Sequence, residues 1–346
     1  MNPVSLLSEI ISIPSLSGEE NAVSDMLEAV LRESGLNPQR RENNLWCRSG
    51  SGPAILMDAH IDTVRPASGY TRNPFSPEIE DGKLFGLGSN DDGGSVVAMI
   101  EAYKRLISSP QPYTLVLSLS AEEETGGKNG LEAVLPEIEA AVGPIRFGLI
   151  GEPTSLQMAT SEKGLMVLDC EAVGKSGHAA RGEGINAIYE ALPDIQWFRS
   201  WQFPDVSEDL GPVKMTVTQI AAGTQHNVVP DSCRFVVDVR SNACYSNEEL
   251  LGIIRENVHC SVKPRSTRLQ GTSIDKAHPA VQRGLSLGLK AFGSPTLSNR
   301  ALCRFLTLKL GPGDSARSHT ADEYICINDI EAAIDIYFKL LSGLSI

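Results

Sequence analysis

Three consecutive carboxylates, Glu122, Glu123 and Glu124, follow directly on a strongly apolar segment at residues 113–120. That segment predicts a buried strand, which would place the acidic cluster at the end of the strand. Neighbouring like charges raise each other's pKa values and repel unless a positive charge holds them. The cluster is therefore either a solvated acidic turn or the carboxylate part of a cation site.

Two other apolar segments also end in polar residues that could do chemistry. Residues 53–62 end in His60 and Asp62, and residues 146–151 are followed by Glu152. His60 and Asp62 are two positions apart, so on a strand they point to the same side, as a metal-ligating histidine and its orienting carboxylate would. The alternative is a strand-end histidine that is simply hydrogen-bonded to an aspartate.

A glycine-rich stretch from Gly86 to Gly94 leads into a predicted helix at residues 95–107. It does not predict a phosphate loop, because Asp91 stands where the dinucleotide fingerprint has its third glycine and Gly94 stands where a P-loop has lysine. The glycines instead allow the backbone to pack closely, so that Asp91 can project inward.

Strands that alternate with helices up to this point predict an α/β sheet covered on both faces. Ligands of such sheets collect at the carboxyl ends of the strands. The side chains that would gather there are His60, Asp62, Asp91, Glu122 to Glu124, and Glu152. Several strand-end acids that converge with a histidine predict a metal site.

Composition narrows the classes of function. The chain of 346 residues predicts two domains, and its formal net charge of −13 argues against a nucleic-acid partner, since phosphate binding needs a basic surface. The longest apolar runs are too short to cross a membrane, and the N-terminus lacks the features of a signal peptide. Seven scattered cysteines without a Cys-x-x-Cys pair favour reduced thiols. We therefore expect a cytoplasmic protein.

From about Ser161 the pattern of elements changes. A strand, a helix, two strands and a helix are predicted in turn at residues 165–173, 186–198, 213–220, 235–240 and 246–258. With one more strand at 260–264, this order is that of a ferredoxin-like split β-α-β unit. We expect it to form an inserted domain at residues 161–266, between the two parts of a discontinuous domain at residues 1–160 and 267–346.

Two helices are predicted after this insertion. One lies near residues 279–292, and the other closes the chain with Asn328 as its N-cap. Between them, a strand at 305–310 precedes the loop that contains His319.

Five short motifs in this order resemble the M20 family of metallopeptidases and deacylases. They are His60-x-Asp62, Asp91 after Gly-x-Gly, Ala121-x-Glu123-Glu124, Gly151-Glu152-Pro153, and His319-Thr320 with Glu323. The resemblance implies a Zn-peptidase-like mixed sheet flanked by helices, with the ferredoxin-like α+β lid inserted.

The resemblance also implies two divalent metal ions, with zinc favoured over cobalt or manganese for ligands of this type. Asp91 would bridge the ions. His60 and Glu152 would complete one site, and Glu124 and His319 would complete the other.

Three further residues receive catalytic roles from the resemblance. Asp62 would orient His60, and Glu123 would be the general base that takes a proton from a water molecule bridging the metals. His178 in the lid would donate to the oxyanion formed from an amide carbonyl. In dimeric members this histidine comes from the partner subunit, so a homodimer through the lid is expected.

The substrate is expected to be a small N-acyl amino acid. Asn227 and Arg240 resemble lid positions that grip a substrate carboxylate, a role that suits the forked guanidinium; the alternative for Arg240 is a structural ion pair. The compact lid and the loop at 311–319 most resemble the acetylornithine deacetylase branch. This implies hydrolysis of N2-acetyl-L-ornithine, or of another N-acyl-ornithine or N-acyl-citrulline, to the free amino acid and a carboxylate in arginine biosynthesis.

Several alternatives stay open. The same family contains acyl-lysine and succinyl-diaminopimelate deacylases as well as dipeptidases and aminopeptidases, and a non-catalytic binding protein could share the fold. Leu87 and Asp92 depart from the family pattern, which affects the choice of substrate rather than the metal site.

Overall fold

The computed structural model describes residues 2–346, which divide into two compact units. The first unit runs to Thr160 and resumes at Ile274–Phe292 and Ser298–Ile346. The second comprises Ser161–Ser273 and Gly293–Leu297.

Residues 2–346 form strands and α-helices along the whole chain. The strands are β1 (Gln39–Arg41), β2 (Asn44–Ser49), β3 (Ala54–His60), β4 (Glu78–Glu80), β5 (Lys83–Phe85), β6 (Thr114–Ser120), β7 (Ile145–Ile150), β8 (Met158–Glu162), β9 (Met166–Val173), β10 (Gly177–His178), β11 (Lys214–Ala222), β12 (Val228–Val229), β13 (Ser232–Arg240), β14 (Ser261–Pro264), β15 (Thr272–Ser273), β16 (Ala291–Ser294), β17 (Leu306–Lys309) and β18 (Tyr324–Cys326). The α-helices are α1 (Pro3–Ser12), α2 (Asn21–Glu33), α3 (Gly94–Ile107), α4 (Leu131–Val142), α5 (Ala187–Ser200), α6 (Asn247–Asn257), α7 (Pro279–Ser286) and α8 (Ile327–Leu341).

The main sheet of the first unit has the order β1-β2-β6-β3-β7-β17-β8. Strands β6, β3, β7 and β17 are mutually parallel, whereas β2 and β8 pair antiparallel with their neighbours. Every residue of β3 and of β6 is buried, as expected for central strands that are covered on both faces.

Alternating side chains of β3 enter two different apolar clusters. Ile55, Met57 and Ala59 pack with residues of α1, α2, α3 and α8 on one face, and Leu56 packs with α4 on the other. Because β3, β6 and β7 are parallel, they end at the same edge of the sheet, with His60 directly opposite Ser120.

The second unit contains an antiparallel sheet of order β11-β13-β9-β14. Its buried residues alternate along β9 and β13 and pack against α5 and α6. The spatial order is second, third, first and fourth strand, as in a ferredoxin-like unit. The predicted fold class, a mixed sheet flanked by helices with a ferredoxin-like insertion, is confirmed.

Some predicted elements were wrong in detail. Helix α7 ends at Ser286 instead of continuing to residue 292, because Gly288 adopts a positive φ of 87° and β16 follows. The last helix has Cys326 as its N-cap, with Asn328 inside the first turn, because pairing of β18 with β5 brings the chain directly into the helix. The hairpin of β1 and β2, whose first strand is short and polar, was not predicted.

No α-helix formed by residues 2–346 combines the length and the apolar character that crossing a membrane would require.

Candidate metal centre

His60 ends β3 and is almost fully buried. Its Nδ1 lies 3.0 Å from the backbone oxygen of Asp62 and 3.3 Å from Asp62 Oδ1. A carbonyl oxygen can only accept, so this contact places the ring proton on Nδ1 and leaves the lone pair on Nε2. Nε2 lies 3.1 Å from Asp91 Oδ1, which is the side from which a metal would approach.

The acidic turn after β6 is held by residues from elsewhere in the first unit. Asp62 accepts the backbone N–H groups of Glu123 and Glu124 at 3.0 and 3.1 Å. Buried Glu20 accepts the N–H of Glu122 at 3.1 Å. The turn therefore has a fixed backbone, and the side chains of Glu123 and Glu124 stay available for chemistry.

Glu122 has a different environment from its two neighbours. Its φ is +56°, and its carboxylate accepts from the side chain and the backbone N–H of Asn129 at 3.0 and 3.2 Å. It therefore stabilises the turn locally, away from His60.

Asp91 lies in a tight loop between β5 and α3, where a cis peptide bond joins it to Asp92. Gly88 has φ +74°, and a Cβ there would lie 2.5 Å from the Thr63 Cγ2 methyl group. Only glycine fits this close approach. In this loop the Asp91 carboxylate has one oxygen near His60 and the other 3.7 Å from His319 Nε2.

His319 and Glu152 complete the centre from two different directions. His319 Nε2 lies 3.0 Å from each carboxylate oxygen of Glu124, and its side chain is half exposed. Glu152 follows the end of β7 and is buried.

Two overlapping groups of side chains bring their ligand atoms within 4.8 Å of one another. One group consists of His60, Glu123 and Glu152, and the other of His60, Asp91 and Glu124. The first group contains Glu123, which the sequence assigns as the base, in place of Asp91. The ligand sets inferred from the resemblance therefore stay a prediction, although their members lie in one cluster.

The electrostatics of the cluster indicate a shortage of positive charge. Burial, opposed by His60 and reinforced by Glu124, raises the pKa of Glu123 to about 8. Burial likewise raises the pKa of Glu152 well above its usual value, although Lys309 opposes it. Burial would also raise the pKa of Asp91, but the hydrogen bond and charge of His60 outweigh it and lower that pKa. The carboxylates outnumber the histidines, so cations at this place would relieve their repulsion.

The three predicted residues of the lid all lie in the second unit. His178 on β10 pairs with Val228 on β12, and its Nδ1 accepts the N–H of Ala180 at 3.2 Å. This bond favours the tautomer with its proton on Nε2, which is the form that can donate to an oxyanion. The backbone oxygen of Asn227 accepts the N–H of Ala179 at 3.0 Å, so Asn227 and His178 lie on adjoining segments.

Arg240 is near the end of β13 and forks onto Asp238 with distances of 2.8 and 3.0 Å. This is the ion pair that the sequence left open as an alternative. The guanidinium is still partly exposed, with 37% of its side-chain surface accessible.

The sequence did not assign roles to several residues that hold the centre in place. The sequence names Glu323 only as part of the last motif and gives no role to Glu20, Ser17 or Asn90. Each acts through hydrogen bonds to residues distant in the chain, for which sequence spacing gives no signal.

Comparison with known proteins identifies the family. The sequence profile of peptidase family M20/M25/M40 matches residues 56–343, which is most of the chain. The chain belongs to this family. The predicted M20 membership is therefore confirmed.

The relatives of this M20 protein include succinyl-diaminopimelate desuccinylases. The enzyme of Xylella fastidiosa (strain M12) is 27% identical over 375 residues, covering 98% of this chain and 97% of the relative. That of Halorhodospira halophila is 27% identical over 376 residues, with the same coverage.

Solved structures share the fold. An aminopeptidase PepT from Bacillus cereus has a TM-score of 0.78 at 17% identity, covering 99% of this chain and 98% of that one. A dinuclear metal-binding M20 peptidase from Bacillus subtilis has a TM-score of 0.72 at 16% identity, covering 99% of this chain and 96% of that one.

Family membership and the carboxylate–histidine cluster together make this chain a metal-dependent hydrolase of amide bonds, as predicted. The M20 family depends on two metal ions, and the residues present fit them. The clustered donors are imidazole nitrogens and carboxylate oxygens, which suit Zn²⁺, Co²⁺ or Mn²⁺.

Proposed function

We propose that this M20 protein hydrolyses the amide bond of an N-acyl amino acid that carries additional carboxylates, with an N-succinyl-diaminopimelate as the first candidate and N2-acetyl-L-ornithine as the second. The main support for this reaction is the cluster of carboxylates and histidine at the ends of β3, β6 and β7. Ligand atoms of Glu123 lie within 4.8 Å of those of His60 and Glu152, and His60 in turn lies within this distance of Asp91 and Glu124.

When bound, two divalent ions held by His60, Asp91, Glu124, Glu152 and His319 would supply an activated water molecule and a polarised carbonyl group. Asp62 keeps the His60 ring oriented through Nδ1. Glu123 accepts a proton from the attacking water at its carboxylate and returns it to the leaving nitrogen.

A cluster of cations in the second unit supports an acidic substrate. Lys163 exposes only 9% of its surface, and its ammonium group makes no ion pair within residues 2–346. Lys214 and Arg240 are cross-strand partners on β11 and β13. Burial, followed by the charges of Lys214 and Arg240, lowers the pKa of Lys163. Asp238 pairs with Arg240 at 2.8 Å, but no carboxylate pairs with Lys163 among residues 2–346, so a substrate carboxylate would supply the anion that this buried lysine lacks.

The names of the relatives support the succinylated substrate over the acetylated one. N-succinyl-diaminopimelate carries several carboxylates, whereas N2-acetylornithine has one carboxylate and a cationic side chain. The cation cluster is better matched by the former. Asn227 and Arg240 remain our candidates for contacts to the substrate α-carboxylate.

We also propose a homodimer through the second unit, with His178 as the oxyanion donor. Strand β11 lies at the edge of its sheet. It exposes Ile220 to 59%, and α5 exposes Tyr189 to 68% and Leu192 to 53%. An exposed apolar edge strand is a ready surface for pairing with a second copy.

All seven cysteines are free, which supports a reducing compartment such as the cytoplasm.

A hydrolysis panel tests the substrate. Acetyl and succinyl derivatives of ornithine, citrulline, lysine and diaminopimelate would be compared with simple dipeptides and tripeptides, with zinc or cobalt added. We expect the largest kcat/KM for succinyl-diaminopimelate. Preference for a peptide with a free amino terminus would contradict the deacylase proposal, and preference for acetylornithine would restore the second candidate.

A further inference from the structure

Two loops that carry predicted metal ligands are fastened to each other by buried hydrogen bonds. The first loop, residues 86–92, contains Asp91, and the second, residues 311–323, contains His319. Both lie in the first unit. We call the hydrogen bonds made by Glu323 and Asn90 between these loops the clasp.

Glu323 is the larger part of the clasp. Its Oε1 accepts the backbone N–H groups of Asn90 and Asp91, both at 2.9 Å, and its Oε2 accepts that of Gly88 at 3.0 Å. The side chain is almost fully buried, and the backbone oxygen of Glu323 also accepts the N–H of Gly86 at 2.9 Å. A buried carboxylate that receives three N–H groups is held firmly, and it holds the donors equally firmly.

Asn90 forms the other part of the clasp. Its Oδ1 accepts the N–H of Asp314 at 3.0 Å, and its Nδ2 donates to the Asp314 backbone oxygen at 3.1 Å and to Ser318 Oγ at 3.3 Å. The residue before Asp91 is thus bound to the residue before His319. The clasp therefore fixes these two ligands with respect to each other.

The predicted ligands differ in how they are supported. His60 and Glu152 directly follow or end the parallel strands β3 and β7, whose pairing fixes them. His319 stands on an irregular loop with φ +61° and a half-exposed side chain. Without the clasp, His319 would lose its fixed distance from Asp91, whereas His60 and Glu152 would keep their positions.

We propose that Glu323 is a positioning residue that sets the affinity of one of the two metal ions, the one held by Glu124 and His319. This inference rests on the proposed ligand sets. The ion held by His60 and Glu152 depends on Glu323 only through the shared Asp91.

Metal titration of the metal-free protein tests this directly and does not depend on knowing the substrate. Calorimetry with Zn²⁺ would count the ions and measure each affinity in the wild type and in Glu323→Gln. Glutamine preserves the size of the side chain but turns an amide NH₂ towards at least one backbone donor. We expect one of the two affinities, that of the ion held by Glu124 and His319, to fall about 10- to 100-fold, the range for groups that support metal ligands, and the other to change much less.

Asp322→Asn is the matched control. Asp322 precedes Glu323 in the same loop, and its carboxylate also accepts three hydrogen bonds, from the N–H and Oγ1 of Thr71 and from the N–H of Arg72. None of these partners belongs to the Asp91 loop. If Glu323 only stabilised the loop in general, Asp322→Asn would change metal affinity in the same way, and the proposal would be wrong.

Two more measurements distinguish a local loss of metal affinity from misfolding of the variant. Circular dichroism would establish whether metal-free Glu323→Gln is folded, and the visible spectrum of the Co²⁺-loaded protein would report the change in geometry of one ion. Asn90→Ala removes the other part of the clasp and should weaken the same ion. Unchanged affinities in a folded Glu323→Gln, equal losses for both ions, or unchanged affinities in Asn90→Ala would each overturn the proposal.

Discussion

Asp62 accepts the backbone N–H of Glu123 at 3.0 Å while its own backbone oxygen faces His60 Nδ1. The second carboxylate oxygen of Asp62 accepts from Glu124 N–H at 3.1 Å and from Ser17 Oγ at 2.6 Å. One buried aspartate therefore fixes the orientation of a predicted metal ligand and the backbone of the turn that carries the predicted base. The sequence predicted only that Asp62 orients His60, whereas the structure shows that it also holds the turn at Glu123 and Glu124.

Asp62→Asn should lower both metal affinity and kcat. The amide NH₂ would face the N–H of Glu124 and the hydroxyl of Ser17, or the opposite rotamer would face Glu123 and His60. We expect a loss of about 10- to 100-fold in metal affinity, as for other groups that hold metal ligands. Ser17→Ala removes only one of these hydrogen bonds and should cost less than Asp62→Asn in the same titration. Equal effects would contradict the double role of Asp62.

Glu123→Gln should stop hydrolysis and leave the metal content unchanged. A carboxamide cannot accept the proton at pH 7, and general-base contributions amount to about 10²–10⁴-fold. Kinetics and atomic absorption on the same preparation would measure the two effects.

Glu122→Gln is the control for this prediction, because Glu122 contacts Asn129 instead of the cluster. It should retain most of the activity. If Glu123→Gln instead lost an ion, Glu123 would be a ligand, as its place beside His60 and Glu152 also allows.

The parts of the fold that the sequence predicted best are local patterns. Strand β3 is a continuous apolar run with His60 at its end, and β7 ends just before Glu152, so both the strand and the position of the polar residue can be deduced from neighbouring residues. The capping box of α6, from Ser246 to Glu249, is local for the same reason.

The features that the sequence did not predict depend on distant partners. Glu323 contacts Gly88 across 235 positions, and Asn299 donates to the buried Asp58 across 241. Hydrogen bonds of this kind leave no periodic trace in the chain. The hairpin of β1 and β2 was also missed, because β1 consists of polar residues whose strand conformation depends on pairing with β2.

Ile220→Lys should convert the proposed dimer into a monomer. A lysine on the edge strand β11 places a charge where two copies would pair, which is how natural edge strands prevent association. Analytical ultracentrifugation over a range of concentrations measures the change. Ile79→Lys is the control, since Ile79 is equally exposed, at 60% compared with 59%, but lies in the first unit. A wild-type monomer, or a dimer that Ile220→Lys does not affect, would contradict the proposed interface.

His178→Ala should lower kcat about 10²–10³-fold, the usual effect of losing one oxyanion donor, and leave metal content unchanged. The ring has its proton on Nε2 when Nδ1 accepts from Ala180, so the donor is ready before substrate binds. His226→Ala is the control, because His226 is an exposed histidine in the same unit. A normal kcat in His178→Ala would exclude the oxyanion role.

Lys163→Met should distinguish acidic from neutral acyl groups. Methionine replaces the lysine side chain with an uncharged one of similar length, so the packing of this buried position is largely kept. If Lys163 binds a substrate carboxylate, its removal should raise KM for succinylated substrates about 10- to 100-fold, because a charge-assisted hydrogen bond contributes about 1.5–3 kcal/mol. The KM for the matching acetylated substrates, and kcat for both, should change little. Lys263→Met alters an exposed lysine on β14 and should leave all four constants unchanged. Equal increases in KM for acetylated and succinylated substrates would show that Lys163 binds the amino-acid part instead of the acyl group, and no increase would remove the cation cluster from the substrate site.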